Sequence, residues 1–234
     1  MTAPQLRLLS GGAAHGVVDA LAAQFRAETD AEIVGSFGPV GAMKDRLLSG
    51  EPADLVILTK ALIAELAAAG HVLPGTCADL GRVRTGVAVK EGDPVPDVSG
   101  GQALRAALLD AREIYFPDPL RATAGIHFAK VLDRLGVRQV LAPRLRAYPS
   151  GAAAMRAMSG AAGSSLLGCT QITEIMITPG VTLVGALPAE FELATVYSAA
   201  VCATTASADL ARRLLALLTG DLTRSLRARL GFEF

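Results

Sequence analysis

The sequence predicts an α/β protein in which parallel strands feed helices through short turns of small residues. Three observations carry this. An apolar strand, a Ser/Gly/Thr turn and a helical pattern follow one another three times before Gly70; a second α/β unit begins near Arg82; and the longest β-favouring run, Ala194–Cys202, comes only after that unit is complete. A length of 234 residues accommodates one α/β domain or two smaller lobes. The late strand, returning the chain after a finished unit, points to two lobes: 1–83 with 195–234, and 84–194.

The first stretch, Leu6–Ala13, is an apolar strand that breaks at Ser10-Gly11-Gly12. Ligands of open parallel sheets sit beyond the carboxyl ends of strands, where a helix start offers unpaired N–H groups and partial positive charge. Ser10 adds a hydroxyl, and Gly11 and Gly12 let an anion approach the backbone, although any strand-to-helix loop also favours Ser and Gly. Val17, Val18, Leu21, Ala22 and Phe25 then fall at helical spacing, which predicts a helix over 14–29. Glu32–Gly35 reads as a strand leaving through Ser36-Phe37-Gly38-Pro39-Val40-Gly41, with a helix over 42–49 stopped by Gly50. Ala53–Leu58 is too apolar to have a wet face, as in a central parallel strand, and it exits at Thr59-Lys60 into a helix over 61–69. Right-handed crossovers place all three exits on one sheet edge.

In the second unit the pattern predicts strands over 85–90, 113–116, 165–168 and 179–184, with helices over 102–111, 126–135 and 151–159. The exit after Phe116 contains Arg121 and Thr123 beside a fourth small-residue helix start. Cys169–Glu174 reads as the polar exit of the strand before it. A helix over 207–219 carries Leu210, Leu214, Leu217 and Leu218 on one face, with Ser207 as the expected N-cap.

Several function classes fall away on composition. Lys plus Arg and Asp plus Glu number 22 each, so no net field recruits nucleic acid or an anionic membrane. Aromatics are 4% with no Trp, which argues against base-stacking platforms. No run approaches the ~20 apolar residues of a membrane helix, so direct membrane insertion is not expected. The three cysteines, Cys77, Cys169 and Cys202, lack metal-ligand spacing and are odd in number, so neither a metal site nor a disulfide framework is expected. No cofactor is expected either: the chain lacks G-x-x-x-x-G-K-[ST], and no G-x-G-x-x-G follows the first strand. Without a basic and then apolar leader, the sequence as it stands reads as cytoplasmic; it would be periplasmic if a leader had been removed.

Taken together, Asp19-Ala20-Leu21, Ser36-Phe37-Gly38, Gly41-Ala42 and Gly50-Glu51-Pro52-Ala53-Asp54-Leu55 resemble the molybdate-binding, type II periplasmic binding proteins. Ala124-Gly125-Ile126, Gly168-Cys169-Thr170-Gln171-Ile172-Thr173-Glu174-Ile175 and Val184-Gly185-Ala186-Leu187-Pro188 resemble a branch of that superfamily, one that is also similar to aconitate isomerase, which moves a double bond in a tricarboxylate. The resemblance spans nearly the whole chain. It implies a two-lobed fold joined by two crossover strands, a ligand cleft between lobes that closes by hinge motion, and a small anion held by hydroxyls and backbone N–H groups. An exported member of this superfamily serves a membrane transporter.

Two departures bear on the ligand. Pro39-Val40 stands where the family has hydroxyl residues, removing a hydroxyl and one backbone donor, and the first turn is Ser-Gly-Gly-Ala. An organic carboxylate is therefore expected ahead of molybdate, with an aconitate-isomerase-like enzyme as the alternative reading. The ligand candidates are Ser10, Gly11, Gly12, Gly38, Val40, Thr59, Arg121, Thr123, Ala124, Gln171 and Tyr197. Catalysis has no set of residues marked by spacing; Lys60, Glu174, His15 and His127 are the candidate proton carriers. Each has a plain alternative: a cap for Thr59, solvation for Lys60, packing for Tyr197, a structural role for either histidine, and neutralisation of a neighbour for Glu174.

Overall fold

The computed structural model describes residues 3–234, and these divide into two compact units. One comprises the described residues up to Val83 with Thr195–Phe234; the other is Arg84–Ala194.

The first unit opens with β1 (Gln5–Gly11), a 3-10 turn (Gly12–Ala14) and α1 (His15–Thr29). β2 (Glu32–Gly38), α2 (Val40–Leu48), β3 (Leu55–Thr59) and α3 (Lys60–Ala68) repeat the pattern. β1 pairs in parallel with both β2 and β3, so the three carboxyl ends share one edge. The apolar spacing of α1 buries Val17, Val18, Leu21 and Phe25 against this sheet. Asp54, just before β3, accepts the Arg7 N–H at 2.7 Å and the Thr205 hydroxyl at 2.5 Å, fixing the opposite edge.

The chain leaves this unit within β4 (Ala78–Lys90). In the second unit follow α4 (Gly101–Asp110), β5 (Glu113–Pro117), α5 (Thr123–Arg134), α6 (Arg138–Leu141), β6 (Leu145–Tyr148) and α7 (Gly151–Gly160). β7 (Leu166–Gln171), α8 (Ile172–Met176) and β8 (Val181–Ala186) complete it. β5 runs parallel to β6 and β7, while β4 is antiparallel to β7 and β8. The chain returns in β9 (Ala194–Val201), antiparallel to β3, and ends in α9 (Ala208–Thr219) and α10 (Arg224–Arg229).

Several boundaries differ from expectation. β2 runs on to Gly38, so Ser36-Phe37-Gly38 is strand rather than exit turn, because these residues pair with Leu9, Ser10 and Gly11. β7 likewise continues through Cys169, Thr170 and Gln171, held by β4 on one side; the polar exit expected there is ladder followed by a short helix. β8 starts after Pro179-Gly180, where Gly180 takes φ 75 in the turn. Ser207 makes no side-chain cap; its own N–H donates instead to the Thr205 hydroxyl at 2.9 Å. β6 was not expected: its Arg146 pairs with Glu113 of β5 at 2.8 Å, so this edge strand reads as polar.

Candidate functional site

The exit edge of the first unit is built around Gly11. A Cβ there would meet Val40 Cγ1 at 2.7 Å and Tyr197 Cε1 at 3.1 Å, so only glycine lets these three segments meet. Gly38 ends β2 directly opposite Gly11, and Gly12 opens the 3-10 turn into α1. α2 has no side-chain cap, which leaves its first N–H groups as donors, whereas α1 continues the 3-10 turn and the His15 N–H is already given to the Gly12 carbonyl. β1 runs on through Ser10 and Gly11, which pair with Phe37 and Gly38, so the expected break begins only at Gly12; the Ser10 hydroxyl is fully buried and donates to the Gly11 carbonyl at 2.9 Å within the strand end.

Thr59 caps α3, its hydroxyl accepting the Leu62 N–H at 3.5 Å. Lys60 Nζ donates to Asp79 at 2.8 Å, and Ser198 donates to the same carboxylate at 2.6 Å. Burial works to raise the Asp79 pKa, but these two hydrogen bonds and the lysine charge together hold it below the ordinary carboxylate range. Tyr197 is buried on β9, its backbone paired with Thr59. The His15 ring stacks on Phe37 with centroids 4.0 Å apart, and its Nε2 lies 3.2 Å from Asp19 Oδ2.

In the second unit the informative feature is a set of buried polar atoms without partners. Gln171 is 3% exposed, and neither Nε2 nor Oε1 of its amide has a hydrogen bond. Thr85, its cross-strand neighbour in β4, and Thr173, two residues on, are also buried with unpartnered hydroxyls. An unmet buried polar group costs about 1–3 kcal/mol, and native interiors rarely leave one empty without reason. Three such side chains lie within one strand pair and its exit.

Glu174 lies next in sequence yet faces other partners. Its carboxylate accepts the Thr170 hydroxyl at 2.6 Å and the Ala152 N–H at 3.3 Å, at the start of α7. A Cβ on Gly151 would collide with both the Thr170 hydroxyl and this carboxyl, so the first turn of α7 closes over it. Burial pushes the Glu174 pKa up, against the lowering effect of those bonds, the Gln171 N–H and the more distant Arg156.

α5 starts at Thr123 without a side-chain cap, with Ala124 buried behind it. Arg121 is exposed in the preceding turn, its N–H donating to Asp118 at 3.2 Å. His127 Nε2 donates to the Phe191 carbonyl at 2.7 Å.

The structure thus brings Gly11, Val40 and Tyr197 together in one unit, and joins Gln171 to Thr85 and Thr173 in the other. The sequence did not single out Thr85 and Thr173, which lie beside Gln171 in strand pairing and in sequence, or Asp19 and Asp79, which contact His15 and Lys60. Asp19 had a readable signal in its four-residue spacing from His15. Among the described residues no group of three or more His, Cys, Asp or Glu side chains is placed to hold a metal ion. Nor, among the same residues, is any helix long and apolar enough to cross a membrane.

This architecture has known counterparts. A periplasmic molybdate-binding protein of Azotobacter vinelandii superposes with a TM-score of 0.78 at 21% identity, covering 98% of this chain and 99% of that one. The sulfate-binding protein SubI of Mycobacterium tuberculosis H37Rv gives 0.73 at 19% identity, covering 98% and 86%. The fold is therefore the two-lobed α/β fold of the type II periplasmic binding proteins. An aconitate isomerase of a Pseudomonas species is 29% identical over 222 residues, 91% of this chain and 81% of that protein. The family described as bacterial extracellular solute-binding protein matches residues 6–233, and with the match running almost end to end the chain belongs to that family.

Proposed function

We propose that this chain is an isomerase that moves a double bond within an unsaturated di- or tricarboxylate, using a solute-binding fold to hold the acid. The observation that carries the reading is the buried, unpartnered set Thr85, Gln171 and Thr173. Together they offer two amide N–H and two hydroxyl donors to carboxylate oxygens, and the Gln171 carbonyl oxygen accepts from a hydroxyl, an acid proton or a water. The uncapped start of α5, in the same unit, adds backbone donors without requiring fixed counter-charges. Similarity to an aconitate isomerase supports this ligand class over an inorganic oxyanion. Pro39 points the same way, since it supplies no N–H beside Val40.

The test is incubation of the protein with cis- and trans-aconitate in deuterated water, followed by NMR, together with calorimetric titration. The expected result is interconversion with solvent label entering the carbon skeleton. Gln171→Leu combined with Thr85→Val should abolish carboxylate binding while leaving the ligand-free fold as stable as before or more so. Tight molybdate or tungstate binding with no response to carboxylates would overturn the ligand class. Saturable carboxylate binding without turnover would instead make the chain a solute-binding protein delivering an organic acid to a membrane transporter. That second reading is favoured by the family, and with it export to the periplasm, which cell fractionation checks.

A further inference from the structure

We propose that the second unit carries a further binding site, for a small organic ammonium ion with a compact apolar body, in a cavity between the β4–α4 connection, the end of α4 and the start of β7. The inference is independent of the isomerase reading. The cavity has a volume of about 230 Å³ and is lined only by residues of this unit. In the antiparallel ladder of β4 and β7, Thr85 pairs with Gln171 at one end and Val89 with Leu167 at the other. The cavity is at the Val89–Leu167 end, so it is separate from the unpartnered set around Gln171.

The floor is apolar: Val89, Ala111, Leu166 and Leu167 line it and are all buried. A smaller apolar cavity, of about 150 Å³, is enough to hold benzene, so one ring with a short arm fits here. Against this floor stands a single unmet acceptor. Asp93 lines the cavity, its N–H fixed to the Lys90 carbonyl at 3.0 Å, and its Oδ2 is buried with no hydrogen-bond partner among the described residues. Asp110 and Ser165, at the exposed rim, bring further oxygen acceptors.

The cations around the cavity do not answer Asp93. Lys90 Nζ donates to the Ala161 carbonyl at 2.5 Å, Arg112 to the Ala162 carbonyl, and Arg144 to the Leu109 and Ala111 carbonyls at 2.8 Å. All three are held by main-chain oxygens. What Asp93 lacks is a donor, and a charged one suits it best, because an ammonium N–H bound to a carboxylate makes a shorter and stronger bond than a neutral donor does. A bare metal ion suits the cavity poorly, since calcium takes about six to eight oxygen ligands and apolar residues make up most of this lining. An ammonium head against Asp93 Oδ2 leaves its apolar body to lie on Val89, Leu166 and Leu167.

The experiment titrates the full chain at neutral pH with 2-phenylethylamine, and with 2-phenylethanol and phenylacetate as its neutral and anionic counterparts, by calorimetry and saturation-transfer NMR. The amine should bind, the alcohol should bind about ten- to a hundredfold more weakly, and the anion should not bind measurably. Asp93→Asn should erase the preference for amine over alcohol, with circular dichroism checking that the variant is folded. Ala107→Leu, on the α4 wall of the cavity, leaves the carboxylate in place and should weaken amine and alcohol together, so the two variants fail independently. Absence of amine binding at millimolar concentration would overturn the proposal, as would equal binding of amine and alcohol by the unmodified chain. Amine binding unchanged in both variants would place it elsewhere on the molecule and overturn the site. Displacement of the amine by calcium would make this a metal site and overturn the ligand class.

Discussion

Glu174 is a carboxyl placed where water cannot reach it, and its pKa is raised because burial outweighs the Thr170, Ala152 and Gln171 hydrogen bonds. The folded state therefore holds this proton more tightly than the unfolded chain does. Its penalty is absent at pH values below the ordinary carboxylate range and grows as pH rises toward the folded-state pKa, so stability falls across that window. Glu174→Gln, neutral and nearly isosteric, should unfold at higher denaturant concentration than the unmodified chain at pH 8 and at a similar one at pH 4. An equal difference at both pH values would show that ionisation is not the cause. At this scale the sequence was legible in part. Gly11 and Gln171 stand out by their place at strand ends and Val40 by its place at a helix start, but a threonine in a strand reads as ordinary β-propensity. That Thr85 and Thr173 are buried without partners depends on what packs over them, which no local pattern records.

α7 shows how an element's start can be set by a distant side chain. Ser150 caps it through the Ala153 N–H at 3.2 Å, and Glu174 takes the Ala152 N–H, so its amide donors serve the protein itself. Gly151 is the position that permits this closure. Gly151→Ala should lower stability by about 1–3 kcal/mol, the usual range for overpacking a filled interior, measured by urea unfolding. A neutral result would mean that the α7 start shifts freely. Helices and parallel strands were legible because their periodicities are local: Val17, Val18, Leu21 and Phe25 mark α1 whatever surrounds it. The ends of β2 and β7 were not, since Ser36–Gly38 and Cys169–Gln171 become strand only through neighbours that satisfy their backbones.

Across the whole molecule the three thiols occupy contrasting settings. Cys77 is exposed, whereas Cys169 and Cys202 are buried. Burial pushes the Cys169 thiol up, and burial with the nearby Asp54 charge pushes Cys202 up to about 12. An aromatic disulfide reagent should therefore modify one thiol per chain in the native protein and three after denaturation; rapid modification of two or three without denaturant would contradict this packing. The path of the chain has a further consequence, for synthesis. β3 leaves the ribosome with Leu55–Thr59 ready to pair, yet its partner β9 is made more than a hundred residues later. Throughout that interval an apolar strand edge waits uncovered, open to pairing with a neighbouring nascent chain. The yield of correctly assembled protein in the cell should then depend on how quickly the intervening segment is translated, and on what chaperones shield that edge meanwhile.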